Sequence, residues 1–367
     1  MTLRPYLLQE FAVVLSRERM LTALDRGQPD RVPIAFGFHL MTLPQIPNRN
    51  PDEYFKTDIR YVSFKPPQED GEFLRYLEGL PKHIHVGGLA NLRTYWEWSY
   101  HPHITGAEPL ATVRTIEELD FLRLPEITNP SRYRGLSEEV HSYQDRSLAV
   151  MGIPPHLGGE IFEPAWRLRG FQRLLLDLRR NRDLANYLFD QITAMLLHNA
   201  VILAQAGVDI LCLDDDIGAP TSMIISPTTW KEFLKPRLMK VIEFAKEAKP
   251  DIFIFYHSDG YIEPIIPDLI EIGVDALNPV QPDVMDPARL KEKYGDRLAF
   301  WGTVGTQTLW AWGSPKDIEE EVKLRIETVG RDGGFIICPA YDIDLPEIPL
   351  ENIIAFRKAA ERFGNYQ

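Results

Sequence analysis

Hydrophobic and polar positions along this chain alternate between two rhythms. Short apolar runs of strand character stand at residues 32–36, 61–64, 148–152, 209–213, 252–256, 275–278, 298–301 and 334–338. Between most of them the spacing lengthens to that of a helix. Ser16-Arg17-Glu18-Arg19 leads into an amphipathic segment that ends at Gly27, and helical spacing covers residues 173–206 up to Gly207. Ser226-Pro227 supplies an N-cap and a first-turn proline for the next helix, and further helical stretches run to Gly273, over 287–294, over 315–330 and from Leu350. Eight strands with helices between most of them predict an α/β fold, specifically a closed (β/α)8 TIM barrel with an N-terminal helix. The whole chain, residues 1–367, reads as one such domain. Residues 65–145 break the rhythm with glycine, proline and aromatics, so they read as an insertion after the second strand. Within it Leu92-Arg93-Thr94-Tyr95-Trp96-Glu97-Trp98 alternates like a hairpin strand, which suits a lid or a covering hairpin.

In a parallel barrel the residues just beyond each strand share one mouth, so their chemistry becomes the evidence for function. Phe253-Ile254-Phe255-Tyr256 stops abruptly at His257-Ser258-Asp259-Gly260, and a period of two sends His257 and Asp259 to the same side. The competing assignment makes His257 a helix cap and Asp259 part of a turn with Gly260. The other strand ends bring His39, Glu160 and Glu163, Asp214 to Asp216, Asn278 and Gln281, Thr303 and Gln307, and Tyr341 with Asp342 and Asp344. Such a mouth is acidic. Carboxylates gathered this closely point to a bound cation, a cationic substrate, or raised pKa values suited to acid catalysis.

Composition narrows the classes. The formal net charge of −13 argues against nucleic acid and anionic membranes as partners. The apolar runs read as shorter than a bilayer span and the N-terminal residues lack a signal-peptide core, so a cytoplasmic protein is expected. Only Cys212 and Cys338 occur, both in strand-like runs, which leaves no thiolate cage and no disulfide framework. No glycine-rich nucleotide motif follows a strand, and no serine or cysteine sits beside a histidine as a nucleophile would.

The segment Asp214-Asp215-Asp216-Ile217-Gly218, the spacing Ser226-Pro227-x-x-Trp230-x-x-Phe233-x-x-Pro236, and His257-Ser258-Asp259-Gly260 with Ile266-Pro267-Asp268-Leu269-Ile270 carry a resemblance. With Asn278-Pro279-Val280-Gln281-Pro282, Trp301-Gly302 and residues 346–352, they are similar to the uroporphyrinogen decarboxylase superfamily. That resemblance implies a (β/α)8 barrel. True decarboxylases of the superfamily carry an N-terminal Arg-Gln-Ala-Gly-Arg stretch that grips substrate carboxylates, and nothing like it follows residues 32–36. The cobalamin-dependent methyltransferase branch carries His-x-Cys-Gly after the corresponding strand and a second cysteine in the last loop, both binding zinc. Here Asp259 stands in place of the first thiolate and Tyr341 in place of the second, a position that decarboxylases fill with histidine.

The resemblance therefore implies a methyltransferase with a harder site. A carboxylate donates less charge to a metal than a thiolate does, leaving a Lewis acid better matched to oxygen. His257, Asp259 and Glu160 are the expected zinc ligands, with Asp214 as another third carboxylate; His257, Asp214 and Tyr341 are the expected catalytic groups. Trp96, Trp98, Glu160, Asn278, Gln281 and Trp301 are the expected substrate contacts. The reaction implied is transfer of a methyl group from a methoxylated small molecule, with Tyr341 or the metal stabilising the leaving oxygen. The chain has no Asp-x-His-x-x-Gly corrinoid motif, so the corrinoid (cobalamin) would arrive on a partner protein. A uroporphyrinogen decarboxylase-like lyase and a non-catalytic corrinoid or tetrapyrrole binding protein are the alternatives. Apolar surface on a long barrel helix would allow a homodimer.

Overall fold

A computed structural model describes residues 14–37, 43–46, 49–65, 108, 110–120, 130–155, 159–305, 307–341 and 343–366. Its centre is a curled sheet of seven parallel strands in sequential order: β1 (Ile59–Ser63), β2 (Ala149–Ile153), β3 (Ile210–Asp214), β4 (Phe253–His257), β5 (Ala276–Asn278), β6 (Ala299–Val304) and β7 (Phe335–Pro339). Sequential parallel order requires a crossover after every strand, and helices supply most of them on the outside. Side-chain parity then divides the apolar residues into two cores. Ile59, Tyr61, Met151, Ile210, Cys212, Phe255, Ala276, Ala299, Trp301, Ile336 and Cys338 fill the concave side, where Met20, Ala23 and Leu24 of the helix Ser16–Leu24 join them. Leu211, Leu213, Ile254, Tyr256, Leu277, Phe300 and Ile337 face outward against the helices. The result is a TIM-barrel-like architecture.

Several sequence expectations change here. Residues 32–36 do not form a regular strand among the described residues; Ile34 makes one parallel bridge to Ile337, and the Asp58 N–H donates to the Ile34 carbonyl. Pro33 has no N–H to give to a ladder, which limits the run to these isolated bonds. The helical stretch expected over 173–206 is two helices, Phe171–Arg180 and Arg182–Ala206, broken at Asn181, whose ψ of 54° is non-helical. The expected insertion over 65–145 gives back its last part. Leu136–Gln144 is a helix that buries Leu136 and Val140, four residues apart, against β1 and β2. Most of the remaining insertion, including the Leu92 to Trp98 hairpin, lies outside the described residues.

The helix Arg182–Ala206 carries a longer apolar stretch than the short runs picked out along the sequence. By length and composition alone it could cross a membrane, but half of its apolar window is buried within the protein, against β2, β3 and neighbouring helices. Cys212 and Cys338 are both free and buried in the concave core.

Candidate active site

The site is a row across three strand ends. Asp214 pairs with His257 in the β3–β4 register and His257 pairs with Asn278 in the β4–β5 register, so the three residues stand side by side. Their parity is that of Cys212, Phe255 and Ala276, two residues below each, which places the row directly above the concave core. Asn278 orients the histidine. Its Nδ2 donates to the Trp301 carbonyl at 2.8 Å, so its Oδ1 faces the imidazole and accepts from His257 Nδ1–H at 2.5 Å. Nε2 then faces Asp216 Oδ1 and Asp259 Oδ1, 3.6 and 3.8 Å away.

The loops after β3 and β4 are tied together so that these groups keep their places. The Asp259 N–H donates to Asp216 Oδ1 at 2.6 Å, the Ile217 N–H to Ser258 Oγ at 3.1 Å, and the Tyr261 N–H to the Ala219 carbonyl at 2.9 Å. At their crossing, Gly218 and Gly260 touch backbone to backbone. A Cβ on Gly218 would lie 2.3 Å from the Asp259 carbonyl oxygen, and one on Gly260 2.4 Å from the Gly218 carbonyl carbon. Gln281, expected to touch substrate, uses its Oε1 to accept the Gly260 N–H at 2.9 Å, which makes it a fourth tie on this loop.

Five carboxylates crowd the mouth on the β2–β3 side. The Glu160 N–H donates to the Asp214 carbonyl, and the Asp214 N–H donates back to Glu160 Oε2. Glu160 Oε1 and Asp214 Oδ1 are buried and accept no hydrogen bond. Asp215 points the other way, capping the helix Phe162–Arg169 by accepting the Phe162 and Glu163 N–H groups at 2.7 and 2.9 Å. Burial, reinforced by the neighbouring carboxylates, holds Asp214, Glu160 and Glu163 well above the usual carboxylate range. Burial pushes Asp215 up to about 7 despite its helix N–H partners. Among the described residues, Glu163 has a close cation, Arg167 at 2.9 Å.

Asp214, Asp216 and His257 each offer a ligand atom within 4.8 Å of the others. One imidazole nitrogen and two carboxylate oxygens, one of them buried without a partner, fit a divalent cation of borderline to hard character, and its charge would relieve the crowding. This grouping differs from the expected ligand set. Among the described residues His257, Asp259 and Glu160 form no such group, because Glu160 is drawn back onto the Asp214 backbone. The sequence reading leaves Asp216 out of the candidate ligands, although counting by twos from Cys212 through Asp214 reaches it.

The other expected residues are placed as follows. Asn278, expected to touch substrate, is 2% exposed with both ends of its amide engaged by His257 and Trp301. Trp301 is not at the mouth; it is fully buried edge-to-face with Phe255 in the concave core. Thr303 is fully buried. Tyr341, two residues past β7, is half-buried against the apolar core. His39, Trp96, Trp98 and Asp342 lie outside the described residues.

Among solved structures, a methyltransferase from Methanosarcina mazei matches with a TM-score of 0.62 at 20% identity, covering 95% of this chain and 99% of that one. Weaker likenesses include xylanase 10B from Thermotoga petrophila, with TM-score 0.41, 12% identity and coverage of 95% and 98%, and an intracellular xylanase from Thermoanaerobacterium saccharolyticum, with TM-score 0.42, 9% identity and coverage of 92% and 97%. No curated protein matches the sequence. The family model for uroporphyrinogen decarboxylase (URO-D) matches residues 162–363, more than half of the chain and every strand end of the acidic row from β3 onward, and the protein belongs to that family.

Proposed function

We propose that this protein is a methyltransferase of the uroporphyrinogen decarboxylase superfamily, taking a methyl group from a methoxylated small molecule and passing it to a corrinoid carried on a separate protein. The observation that carries the reading is the His257 row: an imidazole oriented by Asn278, with Nε2 toward Asp216, grouped with Asp214, whose buried Oδ1 accepts no hydrogen bond among the described residues. A divalent metal such as zinc held by His257, Asp214 and Asp216 would supply Lewis acidity to the ether oxygen. Asp259, at the rim, and Glu160, behind Asp214, would complete the negative surround. Tyr341 is the proton donor to the leaving oxygen in this reading. Residues 32–36 supply the eighth stave of a barrel formed by the whole chain. The fold match to a methyltransferase along nearly the full length of both chains is in keeping with this assignment.

The test is metal analysis of protein purified without chelator, followed by assay with simple aryl methyl ethers and a Co(I) corrinoid protein. The expected result is about one divalent metal per chain and demethylation, both lost in His257→Ala. Metal-loaded protein that turns over no methyl ether sinks the proposal. Conversion of uroporphyrinogen to coproporphyrinogen would replace it with a lyase, and tight corrinoid binding indifferent to His257→Ala, without turnover, with a binding protein.

A further inference from the structure

Two sequence motifs, Asn278-Pro279-Val280-Gln281 and Trp301-Gly302-Thr303, stand beside the proposed metal ligand His257. We infer that together they form a positioning unit whose task is to hold the proton of His257 on Nδ1 and so commit Nε2 to the metal. The inference rests on the reading of His257 as a metal ligand.

The geometry runs from the backbone outward. The Trp301 carbonyl can only accept, so the Asn278 amide must turn its nitrogen toward it, and only the amide oxygen is left for the imidazole. An acceptor 2.5 Å from Nδ1 requires a proton there. The Ser258 N–H donates to the Asn278 carbonyl at 3.1 Å, which ties the residue to the loop that follows His257.

The surrounding backbone is bent to make this arrangement. Gly302, at φ +126°, lets β6 approach: a Cβ there would lie 2.6 Å from the Pro279 carbonyl oxygen and 3.2 Å from Asn278 Nδ2. Val280 and Thr303 hold φ of 51° and 67°, in the left-handed region that β-branched residues avoid, and the Thr303 N–H donates to the Pro279 carbonyl at 2.9 Å. Strained positions of this kind persist where the surroundings over-determine them, and they flank the Asn278 to Trp301 contact on both sides. A partner on the far nitrogen fixes tautomer and ring direction in metal-binding histidines generally.

The experiment uses full-length protein with 15N-labelled histidine. In metal-free wild type, long-range 15N–1H spectra should show the Nδ1 of His257, assigned by its loss in His257→Ala, as a protonated nitrogen. Asn278→Ala should lose that signature and weaken zinc affinity by about 10- to 100-fold in a chelator competition. Asn278→Asp, which still offers an oxygen to Nδ1–H but sets its second oxygen against the Trp301 carbonyl, should restore the signature and only part of the affinity. An unprotonated Nδ1 in wild type, unchanged spectra and zinc affinity in folded Asn278→Ala, or an Asp variant as impaired as the Ala variant would each overturn the inference. If Asn278→Ala does not fold, the wild-type spectrum and the Asp variant still decide it. Absence of methyl-ether turnover would count against the proposed reaction while leaving these results intact.

Discussion

Asp52 is a carboxylate that the fold buries at a cost. It is 5% exposed, accepts from the Thr57 hydroxyl at 2.8 Å, and burial pushes its pKa up to about 6 against that hydrogen bond and the pull of Arg60. A folded-state value above the ordinary 3.8 means that the folded chain binds the proton more tightly than the unfolded chain does. The stability linked to Asp52 is therefore fully present below about pH 4 and is lost as pH rises through about 6, on the order of 2–3 kcal/mol in total. Asp52→Asn keeps an acceptor for Thr57 and removes the titration. Urea unfolding between about pH 4 and 7 should show wild type losing that much stability relative to the variant, and parallel curves would contradict the assignment.

Among the elements, the loops after β3 and β4 carry the site, and their crossing depends on two glycines. Gly260→Ala adds a Cβ against the Gly218 backbone at a φ of +76°, so it combines left-handed strain with overpacking. The expected cost is about 2–4 kcal/mol. Gly135→Ala is the control: its φ is +83°, but its Cβ would meet only Lys65 Nζ, at 3.7 Å, so strain alone should cost about 1–2 kcal/mol. Equal losses in denaturant unfolding would show that the contact between the loops is dispensable.

These same elements show what was legible in the sequence. Seven of the eight apolar runs became strands because each is short, bounded by turn residues and buried on both faces, and parallel strands of that kind announce themselves by composition. The run at 32–36 did not, because a proline inside it removes ladder hydrogen bonds that no apolar count can register. Strand parity correctly placed His257 above the concave core and could have selected Asp214 and Asp216 from the aspartate run. What parity could not supply was distance, and the Glu160 carboxylate proved to be spent on the Asp214 backbone. Trp301 failed differently: an aromatic near a strand end looks like a substrate contact, yet Trp301 is still inside the sheet and its indole packs on Phe255.

At the scale of the whole molecule, the base of the sheet is held by charge where the mouth is crowded by it. Asp58 is fully buried just before β1 and joins three parts of the chain. It accepts from Arg19 at 2.7 Å on the N-terminal helix, from Arg31 at 3.0 Å, and from the Ile34 N–H at 2.9 Å in the segment bridged to β7. Arg19 in turn donates to Asp30 at 2.6 and 2.7 Å, so the helix that closes the concave core from below is fastened to the same point. A carboxylate fully removed from water is stabilising only while all these donors are present, and removing one partner of a buried pair costs about 3–5 kcal/mol because the other is left uncompensated. Asp58→Ala should therefore lose about that much in urea unfolding. Native-state hydrogen exchange should localise the damage. The Ile34 amide loses its acceptor, and the Ala35 and Ile337 amides, bonded across to Ile337 and Pro33, should exchange faster, while Leu211 and Ile254 in the middle of the sheet keep their protection. A uniform loss of protection across all five amides would mean that the sheet opens as one cooperative unit and that Asp58 stabilises it globally, without a separate seam between residues 32–36 and β1.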